Sequence, residues 1–168
     1  MTGPFHIVVL ERHHDRSLFS CGVESLDRYF REQVTQDIRR QVAACYLAIE
    51  RATGRIAGYY TLAAAGLPLA DLPPQLARKL PRYPLVPVVR IGRLAVDLAY
   101  RGRGLGSGMI ADAAKRTLHS GIAAFALVVD AKDEAATMFY RHHSFTPLPD
   151  NPNSLVAPIA TVLRALEE

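Results

Sequence analysis

A single α+β domain is the fold class this sequence predicts, and three observations carry it. The chain has 168 residues, 49% of them hydrophobic, which suits one compact domain with a sizeable core. Two β-rich segments, 41–50 and 55–67, flank the turn-forming Ala52-Thr53-Gly54 as the arms of a hairpin. Further on, the strand-like segment 88–97 runs through a glycine-rich stretch into an apolar-striped helix, so strands and helices share one chain.

The elements follow in order. Segment 5–10 is short and β-rich, and the polar stretch after it, 11–20, reads as loop. Across 25–40, Leu26, Phe30 and Val34 recur at a spacing of four while Arg28, Arg31, Arg39 and Arg40 fill other positions, the pattern of one or two amphipathic helices. After the hairpin, 68–87 holds Pro68, Pro73, Pro74, Pro81, Pro84 and Pro87, too many for a central strand or a long helix; it reads as loop with one helical turn near 75–79. Strand 88–97 and the glycine-rich segment lead into a helix at 109–118. A buried strand at 122–130, a helix at 134–142 behind Asp133, and final strands at 145–148 and 154–163 separated by a turn complete the chain.

The 20 Lys and Arg outnumber 16 Asp and Glu, for a formal charge of +4, and the sequence pI is near 9.3. Arginine supplies most of it, since Lys79, Lys115 and Lys132 are the lysines. That bias suits phosphate-bearing partners. Two cysteines, Cys21 and Cys45, build neither a disulfide framework nor a metal knuckle, so no metal is expected and a reducing compartment fits. No run of about eighteen apolar residues and no leader-like start is present, so a cytoplasmic protein with no membrane partner is expected.

The strand ending Leu94-Ala95-Val96-Asp97 is followed by Arg101-Gly102-Arg103-Gly104-Leu105-Gly106 and then by a helix. Glycines there let backbone approach an anion closely, and a helix N-terminus offers free amides and about half a unit of positive charge. Arg101 and Arg103 add side-chain charge. A dinucleotide fingerprint would want GxGxxG beside the first strand, and a P-loop would want Gly-Lys-Ser or Gly-Lys-Thr. Neither is present.

This loop after a Leu-x-Val strand resembles the acetyl-CoA signature of the GNAT superfamily of N-acetyltransferases. Asp133-x-x-Ala136-x-x-Phe139-Tyr140-x-x-x-x-Phe145 resembles the second signature of that superfamily. The resemblance implies the GNAT fold: one domain over 1–168, a single mixed, mostly antiparallel, twisted sheet of about six or seven strands flanked by helices and splayed at the acetyl-CoA site. It also implies acetyl-CoA as co-substrate, bound through Leu94, Ala95, Val96, Arg101, Gly102, Arg103, Gly104, Leu105, Gly106 and Asp133. Tyr140 is implied as the catalytic residue beside the thioester sulfur, and a backbone amide within Leu94 to Val96 as the group on the carbonyl oxygen. Ser144 stands where the family usually has glycine, and Asp133 where it usually has asparagine.

Phe19-x-Cys21-Gly22-x-x-x-Leu26-Asp27-x-Tyr29-Phe30, Gly58-Tyr59-Tyr60-x-Leu62 and Arg90-Ile91-Gly92-Arg93-Leu94-Ala95-Val96-Asp97 further resemble the acetyltransferase toxins of type II toxin-antitoxin modules. That branch implies an aminoacyl-tRNA substrate acetylated on its α-amino group, a ribbon-helix-helix antitoxin, a homodimer, and operator DNA contacted only through the antitoxin. Candidate RNA-binding residues are Arg28, Arg31, Arg39 and Arg40 on the first helices, with Arg78, Lys79, Arg82 and Arg90 around the proline-rich segment. Two other readings stay open on the residues alone: a GNAT enzyme acting on protein amino groups or small amines, and a non-catalytic CoA-binding module.

Overall fold

A computed structural model of the chain describes residues 3–167. Seven strands, β1 (Phe5–Val9), β2 (Ala44–Glu50), β3 (Ile56–Pro68), β4 (Leu85–Val96), β5 (Ala126–Asp130), β6 (Thr146–Leu148) and β7 (Asn151–Pro158), form one sheet in the order β1-β2-β3-β4-β5-β7-β6. The pairs β1–β2, β2–β3, β5–β7 and β6–β7 are antiparallel and β4–β5 is parallel. The mixed, mostly antiparallel sheet expected from the sequence is therefore present. By its internal contacts the chain divides into two compact units, one of 3–63 with 92–112 and one of 64–91 with 113–167.

The first unit contains β1, β2, and a helical run of α1 (Glu24–Arg28), a π turn (Tyr29–Gln33) and α2 (Val34–Arg39). The four-residue apolar spacing foretold the helix but not the π turn, in which the Val34 N–H reaches back five residues to the Tyr29 carbonyl. A donor from Arg16 occupies the neighbouring Phe30 carbonyl. The core is aromatic: Phe30 stacks on Tyr59 with centroids 4.2 Å apart, and Phe19 meets both rings edge-on at 5.0 and 5.4 Å. Each such buried ring contributes about 1.5–3 kcal/mol by leaving water. The hairpin turn closes as predicted, with the Gly54 N–H donating to the Glu50 carbonyl at 2.8 Å.

In the second unit, β5 presents four buried apolar residues in succession, the mark of a parallel strand covered on both faces. Val88 and Val128 share a core with Leu67, Leu72, Leu76 and Val156. The structure revises several sequence boundaries, and β7 opens at Asn151 rather than 154. β4 starts at Leu85, because Pro87 loses only its N–H and its carbonyl still accepts from Phe125 at 2.8 Å. The proline-rich segment contains a 3₁₀ turn (Leu69–Asp71) and α3 (Pro74–Ala77). β5 begins at Ala126 rather than 122. The segment expected as a strand through 163 ends at Pro158, which starts α6 (Ile159–Ala165); Ile159 and Val162, three apart, are its buried face.

Candidate active site

In the first unit, β4 ends at Val96, a 3₁₀ turn covers Leu98–Tyr100, and four exposed residues lead to α4 (Leu105–His119). The helix opens one turn earlier than the sequence pattern indicated, because the Gly104 carbonyl already accepts the Gly108 N–H at 3.1 Å. Gly102 and Gly104 sit at φ of 77° and 74°, and a Cβ on either would meet nothing within 4 Å. Left-handed backbone is needed at both, and the space their missing side chains leave is open. Alternating left-handed residues turn main-chain amides into a concavity suited to an anion. The first turn of α4 holds no acidic side chain, so its dipole faces that concavity unopposed. Leu105 is buried and holds the turn down, while Gly106 lies within the helix. This geometry fits a pyrophosphate.

A buried carboxylate that sequence reasoning did not single out braces the loop. Asp97 is 3% exposed; it accepts from the Ser20 amide at 3.0 Å and from the Ala99 amide at 2.9 Å, with the Arg55 guanidinium at 3.8 Å. The chain 19–22 is thereby clamped beside the loop, and Leu98 N–H donates in turn to the Ser20 carbonyl at 2.9 Å. Arg101, expected to offer mobile charge, donates to the Cys21 carbonyl at 2.7 Å. Asp27 takes the Cys21 amide at 2.9 Å from the other side. The motif Phe19 to Phe30 is thus explained as the loop's support. A second strap comes from the hairpin turn: Tyr100 and Thr53 hydroxyls each donate to Glu50 at 2.7 Å, and Arg103 approaches Glu50 at 3.9 Å. The two hydroxyls hold the Glu50 carboxyl below its ordinary range. Arg103 and Arg55 both lie over the Tyr100 ring, at 5.3 and 5.4 Å. The signal available in the sequence was a carboxylate ending an apolar strand, a position that burial makes costly unless donors surround it.

In the second unit, α5 (Glu134–His142) has the predicted boundaries. Asp133 is its N-cap, accepting from the Ala136 amide at 2.8 Å, so capping is the role the structure displays for it. Tyr140 lies 8% exposed against Phe139 and Phe145, at ring distances of 5.2 and 5.4 Å. Among the described residues no protein group pairs with its hydroxyl. Burial alone pushes its pKa up to about 12. Ser144 has φ of 74°, the left-handed turn for which the family uses glycine. Leu94 and Val96 are half-buried and Ala95 is buried; the parallel register runs from Val88↔Ala126 to Ile91↔Val129, β4 continues to Val96 and β5 stops at Asp130.

The basic candidates divide sharply. Arg90 is held by Asp130 at 2.6 Å and Arg28 by Glu24 at 3.3 Å. Arg31, Arg39, Arg40, Arg78, Lys79 and Arg82 are exposed, and among the described residues none has an ion-pair partner. Cys45 is 1% exposed and its thiol is pushed up to about 12 by burial, so it is a core residue. His142 and His143 are adjacent at the end of α5, and His143 Nδ1 pairs with the Phe139 carbonyl at 2.8 Å. Among the described residues no three His, Cys, Asp or Glu side chains gather to hold a metal ion, and no helix is long and apolar enough to cross a membrane.

Known proteins resemble this chain in sequence and in fold. Residues 10–145 match the model of the acetyltransferase (GNAT) family. The chain is 35% identical over 144 residues to the tRNA-acetylating toxin of Mycobacterium tuberculosis, covering 84% of each. It is similar to AtaT complexed with acetyl-methionyl-tRNAfMet, with a TM-score of 0.84, 29% identity and coverage of 98% of this chain and 99% of that one. It is also similar to AtaTR bound with AcCoA, with a TM-score of 0.81, 28% identity and the same coverage of both chains. A family model matched over residues 10–145 and a relative 35% identical over 84% of the chain lead to one conclusion: the chain belongs to the acetyltransferase (GNAT) family and is an N-acetyltransferase that draws its acetyl group from acetyl-CoA.

Proposed function

We propose that this acetyltransferase is a toxin whose acceptor is the α-amino group of an aminoacyl-tRNA, in one GNAT domain spanning 1–168. The observation that carries the RNA reading is the set of six exposed cations without an ion-pair partner among the described residues: Arg31, Arg39 and Arg40 in the first unit, Arg78, Lys79 and Arg82 in the second. A cationic acceptor such as a polyamine prefers an acidic surface, whereas a polyphosphate draws on unneutralised arginines. The similarity to a tRNA-acetylating toxin supports the same acceptor. The branch resemblance adds a ribbon-helix-helix antitoxin, operator DNA reached only through it, a homodimer and a cytoplasmic setting.

In this mechanism the amides and arginines of Arg101 to Gly106 hold the pyrophosphate of the donor, and a main-chain amide within Leu94 to Val96 takes the thioester carbonyl oxygen. The ester beside the acceptor amine lowers its pKa below the usual range, so the neutral nucleophile is available without a strong enzymic base. The nitrogen attacks the carbonyl carbon, the C–S bond breaks, and one proton moves from nitrogen to sulfur. Tyr140 donates its hydroxyl hydrogen to that sulfur and recovers a proton from the nitrogen. Burial raises the Tyr140 pKa to about 12, so the phenol keeps its proton at neutral pH and is available as the donor to the departing sulfur.

The test is incubation with labelled acetyl-CoA and charged bulk tRNA. Label on the amino acid of charged tRNA, with turnover reduced about a hundredfold or more in Tyr140→Phe, is the expected result. Label on protein or polyamine and never on charged tRNA would overturn the acceptor while leaving the acetyltransferase intact.

A further inference from the structure

Arg78 and Arg82 line one groove of about 630 Å³ in the second unit, with Tyr83 beside them. The floor is apolar, formed in part by Leu69, Leu72 and Ala77, and among the described residues no acidic side chain lines it. Tyr83 is 68% exposed, an unusual position for so large a ring. It lies between Pro81 and Pro84, whose rings restrict the backbone, and the Pro84 carbonyl accepts the Leu69 N–H at 3.0 Å, tying this segment to the groove floor. The ring is thus presented on a stiffened backbone with little chain entropy left to lose on binding.

We propose that Tyr83 is a stacking platform for an unpaired nucleotide of the RNA acceptor, with Arg78 and Arg82 on the phosphates flanking that base. This rests on the aminoacyl-tRNA reading above. The chemistry selects a single strand: a phenol face with guanidiniums in one groove matches a base and its phosphodiesters, and only an unpaired base can leave its stack to meet the ring. The end of a tRNA that carries the amino acid is such a strand. Charge complementarity selects RNA over a protein partner, because arginines without a carboxylate in their groove would be left desolvated and unmatched by an apolar surface. Arg28 and Arg90, each already on a carboxylate, are outside this contact.

Filter binding of uncharged tRNA to the full chain tests the surface, with Tyr83→Leu, Tyr83→Phe and the pair Arg78→Gln/Arg82→Gln. Because these side chains are exposed, the variants keep the fold, and melting temperature checks it. Tyr83→Leu is expected to weaken tRNA binding about tenfold and Tyr83→Phe to restore it, since the ring and not the hydroxyl is used. The arginine pair is expected to flatten the slope of log affinity against log salt by about 0.7 for each phosphate no longer neutralised. Acetylation of an amino-acid methyl ester, which has no RNA, stays at the wild-type rate in both Tyr83 variants.

Wild-type tRNA affinity in Tyr83→Leu, or the same loss in Tyr83→Phe as in Tyr83→Leu, overturns the platform. So does a change in sedimenting mass of Tyr83→Leu at unchanged tRNA affinity, which would assign the groove to self-association. Charged tRNA acetylated equally well by wild type and Tyr83→Leu removes the platform and leaves the aminoacyl-tRNA reading in place. Tyr83-dependent tRNA binding without label transfer to charged tRNA keeps the platform and removes that reading.

Discussion

Replacing Asp97 with alanine is expected to loosen the donor grip from behind, and its size can be worked from the structure. The carboxylate is 3% exposed and takes two main-chain amides, those of Ser20 and Ala99, at 3.0 and 2.9 Å. Alanine leaves both donors without their protein acceptor, and because Ser20 and Ala99 are themselves exposed, water takes up part of the loss. Where water can replace the acceptor in part, each lost hydrogen bond costs about 1 kcal/mol, so the pair costs about 2 kcal/mol. For a chain of this length about 1 kcal/mol moves the melting temperature by about 3 °C, and a fall of about 6 °C follows. The kinetic consequence is separable. Asp97 lies one residue beyond β4 and fixes the 3₁₀ turn that sets Arg101 and Gly102, so KM for acetyl-CoA should rise, while at saturating donor kcat falls little. Thermal melting and steady-state kinetics on one preparation decide it. A melting temperature within about 2 °C of wild type would refute the bracing argument, because two main-chain donors cannot lose a charged acceptor at so small a cost.

Gly104→Ala should cost about 1–2 kcal/mol from left-handed strain alone, since nothing lies within 4 Å of the new Cβ; the same methyl should raise KM for acetyl-CoA well beyond what that strain implies, read by titrating the donor. Ser144→Gly removes a left-handed strain at φ 74° and is expected to raise the melting temperature by about 3 °C; no rise in a thermal scan counts against a strained turn. Stability should fall on the alkaline side: Cys45 and Tyr140 have folded pKa values raised by burial to about 12, above their ordinary values. Protonated forms are favoured by folding, so this stability is complete below about pH 8.5 and is lost progressively as pH climbs toward 12. Denaturant melts at several pH values, with thiol labelling that reaches Cys45 only on unfolding, test it.

Locally encoded features were legible in the sequence for a simple reason: helix and strand periods, turn residues and a glycine loop are written in neighbouring residues. Asp133 and the apolar spacing behind it set α5 to its observed ends, and Ala52-Thr53-Gly54 set the hairpin. Where local signals competed, sequence and structure part. Pro87 argued for loop, yet one lost N–H is tolerable when the carbonyl is paired. The β-rich run after 154 hid α6, whose only local sign was the three-residue spacing of Ile159 and Val162.

By itself the sequence determined the class of reaction: Arg101 to Gly106 between a strand and a helix, with Asp133 to Phe145 downstream, resemble the two GNAT signatures, and the chain is an acetyl-CoA-dependent N-acetyltransferase. Tertiary structure decided what stands behind that loop and which charges are free. Asp97 reaches Ser20 across 77 residues and Arg101 reaches Cys21 across 80, separations at which no periodicity operates. It also divided eight similar-looking basic residues into two already neutralised by a carboxylate and six facing solvent. The physical reason is common to both: a side chain's electrostatic role is set by the partner folding brings to it, and that partner is not its neighbour in sequence.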